Sequence, residues 1–150
     1  MTTFIKGSLK KFHIYLIMIC VAFSLSPAFV SAGDYVKTSK PVASYASDGM
    51  IDVSNTVTYT GKISAFALKV SLPDNVEFVS TSADSQPAIK PKAGDTGLLE
   101  FLWVTPPTSP FVFNYSVLAA KEATGDIEAV VVYRRDGGAK TVLIPNVNVK

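Results

Sequence analysis

After residue 50 apolar and polar positions alternate with a period of two, and the spacing of an amphipathic helix is almost absent. Ile51, Val53, Val57 and Tyr59 share one parity, while Asp52, Ser54, Thr56, Thr58 and Thr60 share the other. That is the pattern of a strand with one wet face. Phe66, Leu68, Val70 and Leu72 repeat it until Pro73-Asp74-Asn75 stops the run as a turn. Val76 to Ser80 reads as a short strand. Leu98 to Val104 is apolar on both parities, but Glu100 marks one as wetter, so Leu99, Phe101 and Trp103 are expected in the core, with Trp103 as its anchor. Phe111, Phe113, Tyr115 and Val117 form another inward row. Ile127 to Arg135 and Thr141 to Val149 make a final pair around Asp136-Gly137-Gly138, a strong hairpin signal. Pro145 places the last strand at an edge or bends it.

Breakers separate these runs. Residues 81–97 are rich in Ser, Pro, Ala and Gly and predict the longest irregular connection, a mobile surface loop. Pro106, Pro107 and Pro110 predict an extended crossing without a continuous ladder. With one strand expected within Val36 to Ala46, the count is about eight. The expected fold is all-β: a two-sheet β-sandwich of about eight strands, preceded by a helical signal segment.

That segment occupies residues 1–32, and residues 33–150 suit one domain. Lys6, Lys10 and Lys11 form a basic start, Ile14 to Leu25 an apolar middle, Pro27 a break, and Val30-Ser31-Ala32 the small residues of a cleavage site. This is the layout of a secretory signal peptide cut after Ala32. Retention as an anchor is the rival, because Phe12 to Val30 is nearly continuously apolar and about 20 such residues span a bilayer. A secreted or periplasmic domain follows from the first reading. A membrane-tethered sandwich, touching the membrane only through the leader, follows from the second.

Removing the leader changes the chemistry. It holds the chain's one histidine, His13, its one cysteine, Cys20, and three of its 14 basic residues, but none of its 12 acidic ones. The remainder is one charge negative, so no net electrostatic footprint for nucleic acid is expected. Without histidine or thiol no Ser-His-Asp or Cys-His system can be assembled, and ordinary zinc sites lack ligands. Carboxylates remain. Asp84, Asp95 and Glu100 lie near the long loop and form the only hydrolytic candidate, a carboxylate pair across a cleft, although solubilising acids explain them as well. The expectation is no enzyme.

Calcium is the one cofactor left open, since oxygen ligands suffice for it. Asp48 and Asp52 flank Gly49, and Asp74 and Asn75 share a turn, but turn formation alone accounts for each. Glycan contact would need exposed rings. Tyr59, Tyr115 and Tyr133 continue inward patterns, which leaves Tyr45 as the exposed exception. The Thr56, Thr58, Thr60 row reads as a solvated strand face, and the Asn114-Tyr115-Ser116 sequon falls within a strand.

The stretches YTGKISAFALKVSLPDNVEFVS, AGDTGLLEFLWVTPPTSPFVFNYSV and TGDIEAVVVYRRDGG resemble the repeated core of small sandwich modules in bacterial surface proteins, similar to cohesins and immunoglobulin-like adhesin domains. The resemblance covers roughly Ile51 to Val149. It implies a cohesin-like or immunoglobulin-like sandwich used for display, adhesion, scaffolding or glycan contact, and it carries no catalytic residue across. Two readings follow: a noncatalytic module binding a protein or glycan at the cell surface or in the periplasm, or a structural subunit assembling through sheet edges, to which Val147-Asn148-Val149 lends a strand. For the first, the 81–97 loop with Asp84, Gln86 and Asp95 is the expected contact region, with Tyr45 as a separate ring.

Overall fold

The computed structural model describes residues 36–83, 85–135 and 137–149. The signal segment, the cleavage at Ala32 and the candidate Asp84 lie outside the described residues.

Among the described residues every regular element is a strand: β1 (Val36–Thr38), β2 (Val42–Tyr45), β3 (Met50–Tyr59), β4 (Ala65–Ser71), β5 (Val76–Ala83), β6 (Leu98–Trp103), β7 (Phe111–Ala119), β8 (Gly125–Arg135) and β9 (Gly138–Val149). They form two sheets, one ordered β1-β3-β7-β5 with β2 also on β3, the other β6-β4-β8-β9. All pairings are antiparallel. This is the expected two-sheet sandwich.

The ninth strand comes from Val36–Tyr45, where one was expected. Buried Pro41 interrupts the segment, and proline has no N–H to give a ladder. Its two halves therefore pair separately with one edge of β3, β1 opposite Val57–Tyr59 and β2 opposite Ile51–Ser54. β5 also runs three residues past Ser80.

The alternating residues fill the space between the sheets. Phe66, Leu68, Val70, Leu99, Phe101, Trp103, Phe113, Tyr115, Val117 and Val131 are each at most 2% exposed. Trp103 anchors this core as expected. Its ring meets Phe66, Phe111 and Phe113 edge-on at centroid separations of 5.2 to 5.8 Å, an arrangement that matches positive ring edges to negative faces. Its indole N–H donates to the Ser85 carbonyl at 2.9 Å.

One inward position is polar. Asn55 sits between Val53 and Val57 at 1% exposure, and neither its Oδ1 nor its Nδ2 has a hydrogen-bond partner. The buried Tyr115 phenol lies within its influence. Burial pushes that phenol well above the usual tyrosine range, while the Asn55 amide acts to a smaller extent in the opposite direction without reaching hydrogen-bond geometry.

Candidate functional site

The four residues expected to make contacts do not converge. Gln86 and Asp95 lie in the connection from β5 to β6, on one long side of the sandwich, and Tyr45 lies on the other, where β2 approaches β9. The connection expected to be mobile is tied to both strands it joins. Phe78 N–H donates to Asp95 O and Gly94 N–H to Phe78 O, each at 2.8 Å, which covers the edge of β5. Ile89 and Leu102 exchange hydrogen bonds at 3.3 and 3.0 Å, which covers the edge of β6. Pro87 is buried beneath it. The two expected contact residues serve this local structure: the Gln86 amide donates to Ala83 O at 2.9 Å, and the Asp95 carboxylate accepts from Lys92 N–H at 2.8 Å.

Three of the other acids considered for hydrolysis or calcium have side-chain partners of their own. Glu100 pairs with Lys69 across β6 and β4 at 2.6 Å. Asp48 accepts from Met50 N–H at 3.1 Å, and Asp52 from the Ser116 hydroxyl at 2.5 Å. Among the described residues no three acidic, imidazole or thiol groups come together. Of the tyrosines, Tyr115 and Tyr133 are buried and Tyr59 is half-buried, its hydroxyl donating to Pro107 O.

Tyr45 differs from them. It is 50% exposed, yet it is not loose, because its hydroxyl donates to the Asn148 carbonyl of β9 at 2.8 Å. A ring pinned at its tip has given up much of its rotamer freedom before any ligand arrives. On one flank it borders an open groove of about 720 Å³, lined also by Asp48, Met50, Ala119 and Lys121. Gly49 shapes this groove. At φ +89°, a Cβ there would lie 2.4 Å from Ala119 O, and Ala119 N–H donates to Gly49 O at 2.9 Å. Only glycine accepts both the left-handed backbone and the close approach.

Near the end of β9 where Tyr45 is anchored stands a polar cluster that the sequence reading missed. Asn148 Nδ2 donates to Asp126 Oδ1 at 3.0 Å, and Asn146 Nδ2 reaches Asp126 Oδ2 at 3.5 Å. The ladder shifts register between Ile127 and Ala129, opposite Pro145. That bulge shifts parity between Ile144 and Val147, while Asn146 and Asn148 stay on one face. The repeated Asn-x-Asn beside Pro145 was the available signal. The half-exposed Tyr45 ring is equipped to stack on an apolar surface, and its hydroxyl is tied through the Asn148 backbone to the strand that carries this cluster.

No family model matches the chain, and no curated protein does. Several solved structures match, among them the following two. The full-length major pilin SpaD of Corynebacterium diphtheriae superposes with a TM-score of 0.57 at 12% identity, over 75% of this chain and 35% of the pilin. A DUF4466 family protein of Parabacteroides merdae gives a TM-score of 0.45 at 12% identity, over 77% of this chain and 44% of its own. The chain thus spans about a third of the pilin, and the likeness is one of fold: an all-β sandwich.

Proposed function

We propose that this chain is an exported, noncatalytic binding or adhesion module that contacts a protein or glycan at the cell surface or in the periplasm through the seam around Tyr45. The carrying observation is that half-exposed ring, held by its hydroxyl on Asn148 O and bordering an open groove. The leader-like residues 1–32 support export, and sandwich likeness to a pilin fits use outside the cytoplasm. Of the acids weighed for hydrolysis, Asp95 accepts from Lys92 N–H and Glu100 pairs with Lys69, which favours noncovalent contact over hydrolysis.

Glycan and surface-protein arrays probed with the exported protein test this reading. Retention on a defined ligand class, reduced about tenfold or more by Tyr45→Ala as expected of a central aromatic contact, supports it. Silence on both arrays, or retention indifferent to Tyr45, refutes it.

A second reading, as a structural subunit, takes a different form from the edge-to-edge one. Val147 and Val149 are already buried and the strand is paired to β8. On the outer side of β9, Thr38 Oγ1 donates to Leu143 O at 2.9 Å and Tyr45 to Asn148 O. The β5 and β6 edges are partly covered by the 85–97 connection at Phe78 and Leu102, and the edge of the first sheet beside β3 is only the short β1 and β2. Short, interrupted and covered edges are the devices that discourage strand addition. A sheet face is the better surface for assembly.

A further inference from the structure

The groove beside Tyr45 has two firm lips. On one side the turn from β2 to β3 is closed by Ala46 N–H on Met50 O at 2.9 Å and Gly49 N–H on Ala46 O at 3.2 Å. On the other, just past β7, Ala120 N–H donates to Asn75 O and Ala123 N–H to Ala120 O, each at 2.9 Å. A groove held this way stands ready before a ligand arrives, and its volume of about 720 Å³ falls in the range of about 300 to 1,000 Å³ that small ligands occupy. Its lining is mostly small: Ala46, Ser47, Gly49, Ala119 and Ala120. The anchors of protein interfaces need well-packed, fully desolvated pockets. An open groove floored by alanine and glycine offers none.

The polar groups of the groove fit a different ligand. Among the described residues the charged ones lining it are Asp48 and Lys121, one on each lip. Asp48 Oδ1 accepts from Met50 N–H, and no ion pair among the described residues engages Lys121. An ammonium only donates and a carboxylate only accepts, whereas a hydroxyl does both, so a ligand rich in hydroxyls satisfies the two lips together. A charged ligand does not. The same end of the sandwich carries Asp74, Glu77, Glu122 and Asp126, which repel an anion, while Lys121 meets a cation inside the groove. The remaining requirement is an apolar face for the Tyr45 ring. A pyranose has one, its C–H face, with hydroxyls around the rim.

We infer that the groove takes a neutral pyranose chain, one ring stacked on Tyr45, its hydroxyls donating to the second Asp48 carboxylate oxygen and accepting from Lys121 Nζ. This rests on the proposed Tyr45 contact and narrows its ligand from protein or glycan to an uncharged glycan. The tie from the Tyr45 hydroxyl to Asn148 O enters as preorganisation. With its tip held, the ring meets the sugar without first losing its rotamer freedom.

Amide NMR spectra of the isotope-labelled exported protein test this with neutral trisaccharides of glucose, mannose, galactose and N-acetylglucosamine, beside a uronic acid trisaccharide and trilysine. Each is added up to about 10 mM, where weak contacts populate. At least one neutral trisaccharide should shift the amides of Tyr45 to Ile51 and Ala119 to Lys121 saturably, and bind more tightly than either charged probe. Tyr45→Ala should weaken that binding about tenfold or more, and Tyr45→Phe, which keeps the ring but loses the tie, about threefold. Asp48→Asn, which retains an acceptor for Met50 N–H, and Lys121→Met should each weaken it about threefold or more. The dispersion of the same spectra shows that each variant is folded. No shift at these amides with any neutral trisaccharide, tighter binding of a charged probe, or binding indifferent to Tyr45→Ala or to both lip variants overturns the inference. A protein retained through Tyr45 on the arrays, with no saccharide bound, overturns it while the broader reading stands. Silence on both arrays overturns both.

Discussion

Replacing Asn55 with leucine is expected to stabilise the fold. The asparagine amide is 1% exposed with neither its donor nor its acceptor satisfied, and an unpaired buried polar group costs about 1 to 3 kcal/mol. Leucine has the same number and branching of side-chain heavy atoms, so it fills the space between Val53 and Val57 without leaving a cavity, at some risk of crowding. The interaction lost is the smaller, opposing influence on Tyr115. The net expectation is about 1 to 2 kcal/mol of added stability, or roughly 3 to 10 °C in Tm for a domain of this size. Trp103 is the only tryptophan and is 2% exposed, so its emission reports unfolding in urea directly. The midpoint should rise with the slope unchanged. Asn55→Asp, which buries a charge without a partner, should lose about 3 kcal/mol or more. A loss of more than about 1 kcal/mol in Asn55→Leu would refute the reasoning, because it would mean that the amide is well bonded in solution.

Three further outcomes follow from the same core and its margins. Gly49→Ala forces a Cβ to 2.4 Å from Ala119 O at a left-handed φ and should cost about 2 kcal/mol or more, read in urea melts. Trp103→Phe keeps an aromatic core but removes the N–H bond to Ser85 O. It should lose about 1 to 3 kcal/mol in calorimetry and speed hydrogen exchange in the 84–97 connection. Burial holds the Tyr115 and Tyr59 phenols above the model-compound value of 10.0. Above that pH the unfolded chain has released protons that the folded chain still binds, so stability is fully present below about pH 10 and falls as pH rises beyond it. Tyrosinate absorbance should show delayed groups that ionise together with loss of structure. Tyr115→Phe should flatten the alkaline decline, and a decline unchanged by it would refute the assignment.

Local pattern carried most of the sandwich. The rows through Phe66, Phe101, Phe113 and Val131 were legible because period two is imposed by the pleat itself and each row faces one continuous core. Asn55 shares their parity but was passed over, since an amide at an inward position carries no apolar signal. β1 and β2 merged in the reading because both are short and their separation depends on buried Pro41. The 85–97 segment was recognised as irregular from its Pro and Gly content, but composition says nothing about where its N–H groups go, and those of Ala88, Ile89 and Gly94 go to β6 and β5. Tyr45 stood out by lacking an alternation partner. Asp126, Asn146 and Asn148 did not, because Asp126 meets Asn148 only through the pairing of β8 with β9, and the approach of β2 to β9 joins residues about a hundred positions apart.

The chain from β1 into β2 runs alongside β9 in the same direction: Thr38 reaches Leu143, and Tyr45 reaches Asn148. The described chain consequently enters at one end of the sandwich and leaves at the other. Tension applied between those ends acts along the strands. It loads the β1-β3, β2-β3 and β8-β9 hydrogen bonds in shear, many at once, instead of peeling them one by one. The hydroxyl bonds of Thr38 and Tyr45 to β9 then act as cross-ties between the first strands and the last, so that neither slides without straining the other.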